Sequence, residues 1–250
     1  MRPWSRDYAG RFEEHELESD ALRGNRLGDP HVRPLWIYTP PAYALEQQRR
    51  FASIYLIQGL TGQLDMWRNR SAFRPSVIEL VDDMFADGAC APAVVVFVDA
   101  WTSVGGSQFV DSPGTGKYHT YLCGEVVPFV DARYRTLADA AHRGIAGKSS
   151  GGYGAMITPM LRPEVWERWL ELDPVRMVDR HADALRGLRA IYVDAGKRDQ
   201  FYLDLGAEAF RRALAQIGVT DVFFELFDAT HSAIEYRYPL ALRYLAERLQ

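Results

Sequence analysis

The 250-residue sequence is poor in cysteine: Cys90 and Cys123 are the only two. A disulfide framework needs several paired cysteines, and structural zinc needs close ligand spacings such as C-x-x-C, so neither is expected and no metal is assigned. Two unframed thiols suit a reducing compartment. Long apolar runs are also missing. Nothing approaches the ~20 residues that span a bilayer, and the opening MRPWSRDYAGRFEEHE holds no stretch that could serve as a signal peptide. A cytoplasmic protein with no membrane partner is therefore expected. Basic excess is lacking too: 29 Lys plus Arg face 33 Asp plus Glu, a net charge of −4. A nucleic-acid partner wants a basic face, so none is expected. There is no internal repeat, low-complexity tract or linker-like segment, and at this length one domain is expected.

What is present is a rhythm of strands and helices. Short apolar, β-branched runs occur at 33–40 (RPLWIYTP), 52–58 (ASIYLIQ), 93–100 (AVVVFVDA), 142–147 (HRGIAG), 168–173 (RWLELD), 189–196 (RAIYVDAG) and 221–227 (DVFFELF). Helical spacing of apolar residues fills 74–88, 120–134, 203–218 and 239–250. The first ~30 residues are polar and read as edge strands or a loosely held arm, a reading from composition. Strands alternating with helices, several of them unbroken hydrophobic runs, predict a mostly parallel central sheet with helices on both faces. In such a sheet ligands bind beyond the carboxyl ends of the strands. That directs attention to Gln58-Gly59-Leu60, Asp99-Ala100-Trp101, Ser149, Asp173, Asp199 and His231.

Gly147-Lys148-Ser149-Ser150-Gly151 fits G-x-S-x-G between a short strand and a helix. A sharp turn there would strain Ser149 and lift its Oγ above the sheet, with glycines where the chain is crowded. GKSS also resembles the end of a phosphate-binding loop, but that motif needs glycine where the chain has His142. Lys148 fills the free position of the turn and sets a positive charge beside the nucleophile.

A serine hydroxyl needs a base, and histidine suits that at neutral pH. Of six histidines only His181 and His231 follow Ser149. His181 sits in a stretch that reads as a surface helix. His231 follows the last strand and precedes the final helix, so it is assigned as the base. Asp199, on the loop after RAIYV, is assigned as the acid that orients the imidazole. Asp173 is its rival, and Asp194, nearer the strand, reads as structural. The oxyanion of a tetrahedral intermediate wants preorganised N–H donors. The backbone of Ser150 and of Leu60, the latter between Gly59 and Gly62, would supply them.

The runs YLIQGLTG, VVVFVDA, SQFVDSPGTGKYHTYLCGEVVPFVDARYRT and RGIAGKSSGGYGAM resemble the esterase D group of α/β-hydrolases. That group includes S-formylglutathione hydrolases, feruloyl and acetylxylan esterases, enterochelin esterase-like proteins and mycolyltransferases. The resemblance runs from about RPLWIYTPPAY to the final helix. It implies an α/β-hydrolase fold without a large lid domain, a Ser149–Asp199–His231 triad, oxyanion donors from Leu60 and Ser150, and no cofactor. Two departures stand out. Gln58 replaces a histidine common before the Gly-Leu pair, which predicts altered loop support. Pro159 falls inside the nucleophile helix and is expected to kink it or end it early.

Trp67, Trp101, Phe109 and Tyr118, with Tyr236 after the base, are candidate pocket walls. The long glycine-rich loop 102–118 suits a site rim that moves. Asp131, Arg133 and Arg135 read as a structural ion-pair cluster. The leading expectation is a carboxylesterase acting on a small-molecule ester through an acyl-enzyme. The alternatives are an acyltransferase with the same triad and a non-catalytic binding protein on this fold. Whether the chain forms a homo-oligomer stays open.

Overall fold

The computed structural model describes residues 7–71, 73–88, 90–162 and 174–250. In chain order its strands are β1 (Arg11–Glu18), β2 (Val32–Thr39), β3 (Ala52–Ile57), β4 (Ala93–Val98), the two-residue strands β5 (Trp101–Thr102), β6 (Gly105–Gly106), β7 (Asp111–Ser112) and β8 (Gly116–Lys117), then β9 (Arg143–Gly147), β10 (Tyr192–Gly196) and β11 (Phe223–Phe227). The α-helices are α1 (Pro41–Leu45), α2 (Val77–Ala86), α3 (Tyr118–Tyr121), α4 (Val127–Arg133), α5 (Ser150–Leu161), α6 (Pro174–Met177), α7 (Ala182–Arg186), α8 (Leu203–Gln216) and α9 (Tyr238–Arg248). The run read as a strand at 168–173, with Asp173, lies outside the described residues.

The central sheet runs β1-β2-β4-β3-β9, and β10 pairs with β11 beyond it. Every residue of β3 and β4 is buried, because both faces of these strands are covered. Their side chains alternate between two cores, as the period of two requires. Tyr55, Ile57, Val94, Val96 and Val98 pack with α3, α4 and the turn between them. Ile54, Leu56, Val95 and Phe97 face the other way, onto α2 and α9. A third cluster joins α5, β10 and α8 through Ile157, Met160, Val193, Phe210 and Leu214.

The mostly parallel sheet expected from the sequence is present, with an antiparallel edge. β4, β3 and β9 are parallel, as are β10 and β11. β2 is antiparallel to both β1 and β4, so the sheet is mixed. The physical reason is the connections: parallel neighbours need a crossover, usually a helix, and the segment 19–31 between β1 and β2 supplies none. The polar N-terminal stretch thus forms an edge strand, studded with Arg11, Glu13, Glu14, Glu16 and Glu18, charges that guard a free edge against pairing with other chains.

Helix predictions hold with two changes. The stretch 120–134 is interrupted by a wide π-type turn at Leu122–Val126, where the Val127 N–H reaches back to the Leu122 carbonyl. Pro128 follows and has no N–H to continue an α-helical ladder. Pro159 does not end α5, which continues to Leu161, because a proline there costs one hydrogen bond in a helix otherwise packed along its length.

Within this frame His119 is buried in α3, its Nε2 3.7 Å from Cys123 Sγ. Burial pushes its pKa down to about 4, with Arg162 acting in the same direction and Asp111 opposing. The folded state therefore holds it neutral, and the unfolded state takes up a proton first as pH falls below ~6.5. Stability associated with His119 is complete above ~6.5 and drains away as pH drops toward 4, by roughly 3 kcal/mol in all. Urea unfolding between pH 7 and 4 should show a steeper loss for the wild type than for His119→Gln.

Candidate active site

Three strand ends define the site. Ile57 is in register with Val98 on one side and Gly147 on the other. Gln58, Asp99 and Lys148-Ser149 therefore leave the sheet at one edge, where α/β sheets bind ligands. Ser149 has φ +59° and ψ −127°, a conformation that costs a non-glycine residue energy and persists only when its surroundings enforce it. The enforcement is visible. A Cβ on Gly147 would lie 2.6 Å from the Gly151 carbonyl carbon and 2.7 Å from Ile57 O. One on Gly151 would lie 2.5 Å from Ile57 O. Both glycines let the strand-to-helix turn press against the end of β3, and α5 opens immediately afterwards at Ser150.

The loop after β3 lies against Ser149. A Cβ on Gly59 would be 3.3 Å from the Ser149 Cβ. The Gly59 carbonyl accepts from Gly62 N–H at 3.1 Å, and the Leu60 carbonyl accepts from Gly106 N–H at 2.7 Å. With its carbonyls held in this way, the loop leaves the Leu60 N–H without an acceptor among the described residues, and the same is true of Ser150 N–H. These are the two donors expected for an oxyanion. Gln58 is buried beside Asp99, and with its amide turned so that both ends are satisfied its nitrogen donates to Val98 O at 2.5 Å and its oxygen accepts from Ala100 N at 3.0 Å, which ties the loop down. Beneath it Arg33 is ion-paired with buried Asp99 and donates to the Trp101 carbonyl at 2.5 Å. Burial raises the Asp99 pKa even against the Arg33 charge.

Asp199 and His231, 32 positions apart, meet at 2.8 Å through Oδ2 and Nδ1. Asp199 is almost fully enclosed, and its other oxygen accepts from Phe201 N–H at 2.8 Å. Among the described residues no hydrogen bond joins Ser149 Oγ to the imidazole, a contact that commonly tightens only when substrate is bound. Lys148 links the two halves electrostatically: burial lowers its pKa, while Glu235 and Asp199 pull it back up. His181 opens α7, with its backbone N–H on Met177 O. Asp194 is ion-paired with Arg237 at 2.7 Å and accepts from Tyr192 OH at 2.8 Å, a structural assignment.

The aromatic candidates divide. Trp67 is fully buried against Phe97 and Tyr238, in the core rather than on a pocket wall. Phe109 and Tyr118 are likewise packed into the core beneath the site, Phe109 beside Gly154 of α5. Each was read from sequence as a loop aromatic, but the segments carrying them fold inward over apolar strands. Trp101 is half-buried at the start of the ribbon that touches Leu60, and Tyr236 is exposed, edge-on to Phe227. Phe201 was missed: its ring stands 5.0 Å from that of His231, edge to face. Its place two residues after the acid was the available signal. The loop 102–118 is organised as two small ribbons, β5–β6 and β7–β8. Asp131 pairs with Arg143 rather than with Arg133 or Arg135, which stack on Phe129 and Tyr43. Among the described residues no group of three His, Cys, Asp or Glu could hold a metal, and no helix is long and apolar enough to cross a membrane.

Comparison with known proteins identifies the family and the fold. The family model described as "Putative esterase" matches residues 30–232. An endo-1,4-beta-xylanase/feruloyl esterase of Xylanibacter ruminicola is 23% identical over 166 residues, 65% of this chain but only 22% of that protein's length. A solved ferulic acid esterase superposes with a TM-score of 0.79 at 21% identity, covering 98% of this chain and 100% of that one. An S-formylglutathione hydrolase from Agrobacterium tumefaciens gives a TM-score of 0.63 at 20% identity, covering 98% of each chain. The fold is the α/β-hydrolase fold.

The crowding at the turn is testable by stability. Gly151→Ala places a methyl group against the Ile57 carbonyl and should lower the unfolding free energy by roughly 1–3 kcal/mol, the usual cost of overpacking. Gly206→Ala, in α8 with nothing near its Cβ position, should raise it by ~0.5–1 kcal/mol. Chemical denaturation of the two variants side by side checks both signs.

Proposed function

The chain belongs to the esterase family of ester-hydrolysing enzymes, and on that footing we propose that it is a serine carboxylesterase working through an acyl-enzyme on Ser149. The observation that carries the reading is the Asp199–His231 hydrogen bond. A buried carboxylate on Nδ1 fixes the tautomer that leaves Nε2 free to accept a proton, and it stabilises the imidazolium that then forms. Ser149, strained upward at the head of α5, is the hydroxyl whose proton that imidazole takes.

Ser149 Oγ attacks the ester carbonyl carbon while its proton passes to His231 Nε2. The carbonyl oxygen becomes an oxyanion held by the Leu60 and Ser150 N–H groups, which point at developing charge and need no rearrangement. The tetrahedral intermediate collapses, the carbon–oxygen bond to the alcohol breaks, and the alcohol leaves with the proton from His231. Water then attacks the acyl-Ser149 ester, giving its proton to His231. The second tetrahedral species releases the carboxylic acid and returns the proton to Ser149. Because two donors and the helix start are fixed by backbone geometry, the site is preorganised before substrate arrives.

The substrate we propose is a small-molecule carboxylic ester reached at the open edge beside Leu60, Trp101 and Tyr236. The relatives named for feruloyl esters and for S-formylglutathione make an aryl ester and a thioester the first compounds to compare. The test of the chemistry itself is simpler. Wild type should turn over p-nitrophenyl acetate and butyrate, and Ser149→Ala should lose at least ~10³-fold in kcat. Equal activity in the two proteins contradicts the assignment.

A further inference from the structure

The catalytic base assigned above is gripped by more than the acid. Three consecutive side chains of the loop after β10 engage His231. Asp199 Oδ2 meets the ring at Nδ1, 2.8 Å away. Gln200 Oε1 accepts from the His231 backbone N–H at 3.3 Å. The Phe201 ring stands edge to face on the imidazole, with centroids 5.0 Å apart and planes at 80°. Phe201 acts twice, because its own backbone N–H donates to Asp199 Oδ1 at 2.8 Å.

The loop that carries these groups is braced by backbone hydrogen bonds. The Tyr202 N–H closes it onto the Asp199 carbonyl at 3.1 Å, and the Asp199 N–H onto that of Gly196 at 3.1 Å. Tyr202 pays for the closure with φ +57°, a left-handed conformation that favours glycine. On the other side, Arg198 N–H donates to Ala229 O at 3.0 Å, which locks this loop to the segment leading into His231. A Cβ on Gly196 would lie 2.4 Å from the same Ala229 carbonyl, so the two loops touch backbone to backbone. Yet Phe201 is 63% exposed. A large apolar ring left in solvent, on a strained turn, does little for the core. What it touches is the catalytic imidazole.

We propose that Gln200 and Phe201 are positioning residues that hold the backbone and the ring plane of His231, so that the Asp199 bond and the aim toward Ser149 survive in the absence of substrate. Asp199 fixes one point of the ring, about which the imidazole can still swing. The Gln200 bond fixes where the side chain starts, and the Phe201 ring blocks rotation to one side. Aromatic pairs of this geometry contribute beyond their burial, and reacting groups misplaced by about 1 Å can lose ~10²-fold in rate.

The inference rests on the triad reading, so its test includes a readout independent of turnover. Gln200→Ala, Phe201→Ala, Gln200→Glu and Phe201→Tyr are compared with wild type for kcat and KM on p-nitrophenyl butyrate. The deshielded proton shared by His231 Nδ1 and Asp199 is followed by proton NMR. Each alanine variant should lose roughly 10-fold in kcat with KM within about 2-fold, a size consistent with partial misalignment, and its proton signal should weaken through exchange with water. Gln200→Glu keeps an acceptor and Phe201→Tyr keeps the ring, so both should stay within about 3-fold of wild type, well short of the misalignment loss. A rise in KM with kcat intact would make Phe201 a substrate contact and overturn the proposal. So would alanine variants that keep both kcat and the proton signal. A wild type that shows the proton signal but hydrolyses no ester counts against the esterase reading alone, and loss of that signal in the alanine variants still supports the clamp.

Discussion

The whole site hangs on the approach of two glycines to the last carbonyls of β3. Gly147 and Gly151 bring the turn around Ser149 so close to Ile57 and Gln58 that no side chain fits between them. That contact holds Ser149 at a positive φ, starts α5 directly behind it, and fixes this serine relative to the loop that carries Leu60. Strain of this kind is maintained only where packing over-determines it. Here the packing comes from β3 itself, a strand buried from end to end.

From that fixed point the remaining parts are supplied by three connections that have nothing else in common. The donor loop is buttressed from the N-terminal half of the chain, through Arg33 on β2, Asp99 at the end of β4 and the Gly105-Gly106 pair that lies on Leu60. The proposed acid and base, Asp199 and His231, come from the other end, on the loops after β10 and β11, whose strand ends are in register at Gly196 and Phe227. The third is α9, which packs on the central sheet through Leu242 and Leu245 while Tyr244 meets the stacked rings of Tyr192 and Phe223 edge-on. Within each sheet, strand register sets residues far apart in sequence side by side, and their fine aim is set by loop hydrogen bonds.

Much of this could be read from the residues. G-x-S-x-G with its strand and helix located Ser149, because the motif is itself a statement about steric room. The order of Asp199 and His231 after it, each just past a β-branched run, located the dyad. The aromatic residues were less legible. Trp67 and Tyr118 look like loop residues in sequence, but whether a loop aromatic turns inward depends on which apolar face lies beneath it, and that is decided by tertiary packing. Phe201 shows the converse: an aromatic that stays exposed while its ring meets that of His231, and whose one signal in sequence was its place two residues after Asp199. The sheet's mostly parallel direction was legible, its antiparallel edge less so. Hydrophobic runs reveal that a strand is buried on both faces but not which way its neighbour points, and the direction of β2 follows from the short connection before it.

The central claim is that Ser149 is the group acylated during turnover. Its most direct test is covalent: incubate the protein with a fluorophosphonate, digest it, and locate the adduct by mass spectrometry. One equivalent of adduct on the peptide containing Gly147-Lys148-Ser149-Ser150-Gly151, on Ser149 itself and absent from heat-denatured protein, is the predicted result. An adduct on another residue, or a native protein that hydrolyses esters yet takes no label at Ser149, would contradict it.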